Sequence, residues 1–274
     1  MNAPASDHLS QHVDELCRRA VPAARRLAET AGDQRQAALR AAADAIQAAA
    51  TAIVAANAED LARARDAGLS AAMVDRLRLD GGRLAAVAAD LRAVADLPDP
   101  VGRVLEARPI VQGVRMEKIA VPLGVVAIIF ESRPNVTVDA AALCLRSGNA
   151  CILRGGKEAV ASNRALAEAF RAGIASTGID ADCVQLVQDQ DRALVPILLG
   201  RDDAIDIVIP RGGESLIRSV VACSKIPVIK HDKGVCSLYV HAAADLAMAE
   251  RLVLNAKCQR PGVCNAIETL LVHE

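Results

Sequence analysis

A chain of 274 residues can form one large domain or two ordinary ones. Hydrophobic residues make up 53% of it, enough for a sizeable core, and 32 basic side chains nearly balance 33 acidic ones. That balance argues against a disordered polyelectrolyte and against general attraction to nucleic acid. With two Phe, one Tyr and no Trp, the chain has no surface on which bases can stack. We therefore predict a globular protein with an aliphatic core and no nucleic-acid partner.

The eight cysteines and the N-terminal residues indicate the compartment. No cysteine belongs to a C-x-x-C pair and no histidines stand at zinc-finger spacing, so we predict no metal site. The N-terminal stretch MNAPASDHLSQHVDEL lacks the charged and apolar regions of a signal peptide, and no apolar run approaches membrane-spanning length. We expect free thiols, a reducing cytoplasm and no membrane partner.

Residues 8–97 are rich in Ala and Arg, and their apolar positions recur every three or four residues. This period predicts several amphipathic helices, whose simplest role is that of a scaffold. Helix-breaking residues are expected to interrupt them at Pro22, at 31–33, at Gly68, at Gly81-Gly82 and finally at 97–100.

Residues 101–123 show a different pattern, in which polar and apolar residues alternate in short pieces. Alternation of this kind predicts two half-exposed strands, and Gln112-Gly113 is suited to the turn of a hairpin between them. An exposed hairpin has unpaired edges, so we expect it to make contact with another subunit.

From residue 124 onward, apolar segments of strand length alternate with helical segments. The strands are predicted at 124–130, 150–153, 183–187, 205–209 and 227–229, and the helices near 136–147, 159–175, 191–199 and 213–222. This order is typical of an α/β fold with a Rossmann-like parallel sheet covered on both faces. Ligands of such sheets bind at the carboxyl ends of the strands.

A second unit is predicted to begin after residue 230. Strands at 236–240 and 267–272 flank a helix at 245–257. Two strands and one helix cannot close a core, so we expect the chain to be truncated at its C-terminus. The predicted domains are 1–230, with the helices and the sheet, and 231–274, the start of a second α/β domain.

Two strand ends carry the sequence Arg-Gly-Gly. Glycines at a strand-to-helix turn let backbone N–H groups approach an anion, so two such turns suit the phosphates of a dinucleotide. The dinucleotide-binding fingerprint G-x-G-x-x-G is absent from the chain. Ordinary turn glycines beside solvated arginines therefore explain the spacing equally well. The candidate cofactor residues are Arg154, Gly155, Gly156, Lys157 and Glu158 at the first turn, and Arg211, Gly212 and Gly213 at the second.

Glu158 and Arg154 favour different nicotinamide cofactors. A carboxylate near the second strand favours a free ribose 2′-hydroxyl, as in NAD, whereas an arginine accommodates the 2′-phosphate of NADP. These residues leave the choice between the two cofactors open.

Cys264 is the candidate nucleophile. It follows a basic, turn-forming loop, in which Lys257 and Arg260 are suited to hold a thiolate, and Cys258 is its rival. Asn135 follows the first parallel strand, where its amide can donate to a developing oxyanion or cap a helix that begins at Val136.

Several segments together resemble the γ-glutamyl phosphate reductase (glutamate-5-semialdehyde dehydrogenase) family of the aldehyde dehydrogenase superfamily. These segments are 121–126, 130–137, 146–150, 154–158, 210–213, 231–234, 255–257, 259–261 and 264–265. The resemblance covers nearly the whole chain. The family is about half as long again, which again suggests a truncated chain.

The resemblance implies an aldehyde-dehydrogenase-like fold with a cofactor domain, a catalytic domain and an oligomerisation hairpin, and a homo-oligomer at full length. It implies that NADPH reduces L-glutamate 5-phosphate to L-glutamate 5-semialdehyde and phosphate in proline biosynthesis, through a thioester on Cys264. Asn135 or backbone N–H groups would hold the oxyanion, and Lys257 and Arg260 would bind the phosphate or carboxylate of the substrate.

Two other functions remain as alternatives. An aldehyde dehydrogenase with another substrate would need a glutamate general base where this chain has His-Asp-Lys-Gly at 231–234, which disfavours it. The second alternative is a chain that binds the cofactor without turnover.

Overall fold

The computed structural model describes residues 3–131, 133–231, 234–261 and 263–274. The chain forms two compact units, Met1–Lys230 and His231–Glu274. The first unit opens with five helices. They are α1 (Ala3–Glu29), α2 (Gly32–Ala48), α3 (Ala50–Asp66), α4 (Ala71–Leu77) and α5 (Gly81–Asp96).

Helix α1 runs through Pro22, so the predicted break at that residue is wrong. Proline removes one backbone hydrogen bond and costs a helix interior about 3 kcal/mol. Buried side chains lie on both sides of it, with Leu16 and Ala20 before and Ala23 and Leu27 after. Burial of this continuous apolar face offsets the lost hydrogen bond, at about 1.5–3 kcal/mol for each large side chain.

The predicted hairpin is present between the helices and the sheet. Strands β1 (Val104–Pro109) and β2 (Arg115–Ile119) pair antiparallel, with Val104 opposite Ile119 at the open end. The chain reverses at Gly113, whose φ of 77° favours glycine. Every residue of β1 is exposed, so the hairpin contributes little to the core of this unit.

The remainder of the first unit is a four-stranded parallel sheet with helices, as predicted. The strands are β3 (Val125–Phe130), β4 (Ala150–Arg154), β5 (Val184–Leu186) and β6 (Ile207–Arg211), in the order β5-β4-β3-β6. The helices that follow them are α6 (Asn135–Arg146), α7 (Val160–Ala175), α8 (Leu194–Leu199) and α9 (Glu214–Cys223). Strand β3 is buried throughout, as a strand with helices on both faces must be.

The fifth strand predicted at 227–229 is reduced to one bridge, between Val208 and Val228. The nitrogen of Val208 donates to Pro227 and the nitrogen of Ile229 donates to Val208, both at 2.9 Å. Proline has no N–H to continue the ladder, so the pairing ends after these two hydrogen bonds.

The helical layer packs closely against the sheet domain where α2 crosses α7. A Cβ atom on Gly173 of α7 would lie 2.4 Å from the Cα of Ala42 in α2. Glycine therefore allows two backbones to touch at this crossing. Among the described residues no single helix is long and apolar enough to cross a membrane, although α2 and α3 pass that test as a pair bent by 67°.

The second unit is a small β-α-β arrangement. Strands β7 (Ser237–Val240) and β8 (Thr269–Val272) pair parallel, and helix α10 (Leu246–Cys258) connects them. The side chain of Asp245 caps α10 by accepting from the nitrogens of Ala247 and Met248. Helix α10 has no buried residue and β8 is exposed along its length. The unit therefore has almost no core of its own.

Candidate functional site

The order of the sheet has a switch point between β3 and β6. The chain passes from β3 to β4 and β5 on one side, then returns to place β6 on the other side of β3. Parallel α/β sheets bind ligands where the strand order reverses in this way. Ile129 of β3 pairs with Arg154 and Phe130 pairs with Arg211. Both Arg-Gly-Gly turns therefore lie at the same edge of the sheet, next to the end of β3.

At the first turn, the N-terminus of α7 is already satisfied by a carboxylate from α3. Asp60 is fully buried and accepts from the nitrogens of Ala161 and Ser162 at 3.2 and 2.7 Å, and from the Ser162 hydroxyl. A short 3₁₀ turn, Lys157–Ala159, separates the glycines from this helix. Asp60 therefore occupies these two amides of α7, and a role of residues 154–158 in binding a phosphate stays a prediction.

The residues beside this turn nevertheless suit a polar ligand. Arg154 donates to the carbonyls of Gly155 and Gln190, both at 3.2 Å, and burial lowers the pKa of its guanidinium. Arg154 Nε and Gln190 Oε1 are buried and have no hydrogen-bond partner. Gln190 and Gly155 line a cavity of about 70 Å³ together with Asn163 and Gln188. An unpaired donor and an unpaired acceptor therefore lie near the carboxyl end of β4, and each is suited to a polar group of a ligand.

At the second turn, Glu131 lies against the glycines. Its carboxylate Oε2 accepts from the nitrogen of Gly213 at 2.9 Å, directly before α9 begins. Its own nitrogen donates to the carbonyl of Arg211 at 3.2 Å. Sequence analysis missed Glu131. The available signal was a carboxylate that directly follows a buried strand next to a predicted anion-binding turn.

Asn135 is the first residue of α6, and Pro134 stands at the cap position without a side-chain hydrogen bond. The alternative role of Asn135 as the N-cap of a helix from Val136 is therefore wrong. Its amide nitrogen donates to Asp139 Oδ2 at 2.9 Å, and burial raises the pKa of Asp139. An amide nitrogen carries two hydrogens, so a second donor remains for an oxyanion.

The second unit holds the cysteine candidates, between the end of α10 and β8. Cys258 and Cys264 are both exposed, so exposure does not distinguish them. Lys257 Nζ donates to the carbonyl of Ile267 at 3.0 Å and ties α10 to the chain that enters β8. Arg260 is exposed.

Three residues of the segments named above, Ser132, Asp232 and Lys233, lie outside the described residues, and so does Gly262 in the loop before Cys264. Asp232 and Lys233 form the centre of the His-Asp-Lys-Gly stretch at 231–234. Within the described residues, no group of three or more His, Cys, Asp or Glu side chains can hold a metal ion.

Comparisons with known proteins identify relatives over the whole chain. The profile of the aldehyde dehydrogenase family matches residues 3–274. The chain is 56% identical over 266 residues to the γ-glutamyl phosphate reductase of Sorangium cellulosum, a match that covers 94% of this chain and 62% of the relative. It is 52% identical over 264 residues to that of Roseiflexus castenholzii, covering 96% of this chain and 62% of the relative.

Solved structures agree with these matches. The γ-glutamyl phosphate reductase of Thermotoga maritima is 36% identical with a TM-score of 0.91, over 96% of this chain and 64% of that one. The protein of the same name from Saccharomyces cerevisiae is 38% identical, with a TM-score of 0.75. This match covers 95% of this chain and 65% of that one. The predicted fold class is thereby confirmed. The chain spans less than two thirds of the length of these proteins.

Proposed function

The chain belongs to the aldehyde dehydrogenase family, and we propose that it reduces L-glutamate 5-phosphate with NADPH to L-glutamate 5-semialdehyde and phosphate, as a step of L-proline biosynthesis. The observation that carries this proposal is 56% identity, over 94% of the chain, to a protein named γ-glutamyl phosphate reductase. The exposed Cys264 within the matched region supplies the nucleophile.

The thiolate of Cys264 attacks the acyl carbon of the substrate and forms a carbon–sulfur bond. The carbon–oxygen bond to the phosphoryl group breaks, and phosphate leaves with the electron pair to give a thioester. Asn135 or the backbone N–H groups beside Cys264 stabilise the oxyanion. When bound, the nicotinamide cofactor would supply the hydride for reduction of the acyl group to the aldehyde. Departure of the aldehyde restores the Cys264 thiolate.

This reaction needs no activated water, because phosphate is the leaving group and hydride is the second nucleophile. The glutamate base that a hydrolytic aldehyde dehydrogenase requires is replaced by His-Asp-Lys-Gly at 231–234. The substitution favours reduction of an acyl phosphate over oxidation of an aldehyde to an acid by another member of the family.

The aldehyde dehydrogenase family implies a nicotinamide cofactor, and we assign NADPH to the carboxyl edge of the sheet. Arg154 and Lys157 are suited to the 2′-phosphate, with Gly155, Gly156 and Glu158 beside them. The turn of Arg211, Gly212 and Gly213 is suited to the diphosphate. Lys257 and Arg260 are assigned to the phosphate or carboxylate of the substrate.

The exposed hairpin β1–β2 is assigned to contact between subunits, which makes the full-length protein a homo-oligomer. Val111 is 78% exposed and Val114 is 54% exposed, and apolar side chains of this size favour burial in an interface. We further propose that the protein acts in the cytoplasm without nucleic-acid or membrane partners, which its balanced charge supports.

The reverse reaction tests this function. We expect the chain to reduce NADP⁺ with glutamate 5-semialdehyde only when phosphate is present, as followed by the absorbance of NADPH. The Cys264→Ala variant should lose this activity and Cys258→Ala, the matched control, should retain it. Activity without phosphate, or equal activity in the Cys264→Ala variant, contradicts the proposal.

Cofactor binding without turnover is the second candidate, and the second unit favours it. Helix α10 buries no side chain and β8 is exposed, so the elements on either side of Cys264 lack a core. A chain that binds NADPH but shows no phosphate-dependent activity would support this candidate.

A further inference from the structure

Cys236 lies directly beside Cys264 in the second unit. Its thiol donates to the carbonyl oxygen of Cys264, with Sγ and O 3.7 Å apart. The carbonyl of Cys236 accepts from the nitrogens of Glu268 and Thr269 at 2.8 and 3.3 Å, where the chain enters β8. Strand β7 begins at the next residue and pairs parallel with β8. The pairing of the two strands therefore holds Cys236 against the loop that carries Cys264.

This contact brings the two thiols within reach of each other. In any cysteine the sulfur and the carbonyl oxygen are joined through only the carbonyl carbon, Cα and Cβ. A group that touches the oxygen therefore lies within the sweep of the sulfur as the side chain turns about Cα–Cβ. Cys258 also belongs to this unit and ends α10, but none of the hydrogen bonds among the described residues joins it to Cys264. The contact therefore favours Cys236 as the partner of Cys264.

Exposure and protonation direct an oxidant to Cys264 rather than to the core thiols. Cys264 is exposed and Cys236 is half-buried, whereas Cys17 and Cys183 are buried in the first unit. Burial raises the pKa of Cys17 to about 11 and that of Cys183 to about 12. The thiolate is the form that reacts with oxidants, so these buried thiols stay protonated and inert.

We propose that Cys264 is a site of reversible oxidation and that Cys236 is its resolving partner, which forms a disulfide with it when a peroxide is present. The Cys264 thiolate attacks one oxygen of the peroxide and the oxygen–oxygen bond breaks. The departing oxygen takes a proton, and the sulfur is left as a sulfenic acid. Cys236 then attacks this sulfur, the sulfur–oxygen bond breaks, and the hydroxyl leaves as water with the proton of Cys236. Two thiols are thereby oxidised and hydrogen peroxide is reduced to water.

The disulfide regulates and protects the thiol that carries the reaction, and in this respect the inference rests on the proposed function. A disulfide removes the Cys264 thiolate and so stops acyl transfer, and a dithiol restores it by exchange. Without a partner, Cys264 would be oxidised further to a sulfinic acid, which thiols do not reduce. Formation of the disulfide needs no turnover, so it can be measured in a chain of any activity.

The test is peptide mapping after treatment with hydrogen peroxide. The remaining thiols are alkylated, the chain is digested without reductant, and the peptides are identified by mass spectrometry. We expect the peptides of Cys236 and Cys264 to be joined in the wild type and in the matched control Cys258→Ser. Dithiothreitol should separate them. In Cys236→Ser, Cys264 should instead gain the two oxygens of a sulfinic acid, which dithiothreitol does not remove.

The wild-type map decides the inference even where a variant does not fold, which thermal unfolding of each variant shows. A disulfide between Cys258 and Cys264 overturns it, as does a wild type in which Cys264 reaches the sulfinic acid without a disulfide or stays unmodified. A disulfide between Cys236 and Cys264 in a chain without phosphate-dependent turnover supports the role of Cys236 and contradicts the proposed reaction. Phosphate-dependent turnover in a chain that forms no such disulfide does the reverse.

Discussion

Single carboxylates join distant parts of the first unit, and Asp182 is the clearest example. It lies just before β5 and accepts from Arg19 Nε of α1 at 3.0 Å and from Arg171 Nη2 of α7 at 3.1 Å. These hydrogen bonds, that of Arg19 above all, lower the pKa of Asp182 from its ordinary value of 3.8 to about 2. The charged form is therefore favoured by the folded state.

Asp182→Asn should lower the free energy of unfolding at neutral pH by about 1 kcal/mol, a modest effect because the partners are partly exposed. Since the pKa is lower in the folded chain, the contribution of Asp182 is complete above 3.8 and is lost as the pH falls through about 2. Urea unfolding at a series of pH values should therefore show that the free energies of unfolding of the wild type and of Asp182→Asn become equal in acid. Asp44→Asn, an exposed partner of Arg92, is the control. A constant difference across the pH range contradicts the assignment.

Residue-level contacts mark the limit of what the sequence predicts about the site. Both Arg-Gly-Gly turns and the exposed position of the Cys264 loop follow from local pattern. Glu131 and Asp60 do not, because they contact residues 82 and 101 positions away. No local pattern reveals that the amides at the start of α7 donate to the buried Asp60, or that the amide before α9 donates to the exposed Glu131.

At the scale of elements, the packing of α2 on α7 depends on one glycine. Gly173→Ala adds a methyl group that would lie 2.4 Å from the Ala42 backbone. Alanine improves helix propensity by about 1 kcal/mol, but overpacking against a backbone costs about 1–3 kcal/mol or more. We expect net destabilisation of about 2 kcal/mol, measured as a lower urea midpoint.

The matched control is Gly81→Ala at the start of α5, where a Cβ meets nothing within 4 Å. This variant should be neutral or more stable by about 0.5 kcal/mol. A Gly173→Ala protein as stable as the wild type would show that α2 and α7 separate without cost.

The elements themselves were largely predictable, because each carries its own periodicity. Strand β3 reads as a continuous apolar run and α7 as a helix within one residue of its observed start. Two predictions of elements failed, for different reasons. Burial carries α1 through Pro22, which local pattern does not reveal. Pro227 limits the last predicted strand to one bridge, and this proline is a local signal that the sequence offered.

At the scale of the molecule, the hairpin β1–β2 is the surface proposed for self-association. Replacing Val111 and Val114 together with Lys should convert the assembled protein into monomers in light scattering. Val54→Lys, at another exposed apolar position, should leave the assembly intact. A wild-type monomer, or an assembled double variant, contradicts this role.

The central claim is that Cys264 accepts an acyl group from an acyl phosphate, and its most direct test is the mass of the intact chain. The chain is incubated without NADPH in L-glutamate 5-phosphate generated in situ, then quenched in acid. We predict a mass gain of one glutamyl group, mapped to Cys264, in the wild type and in Cys258→Ala but not in Cys264→Ala. An adduct on Cys258, or no adduct in the wild type, contradicts the account.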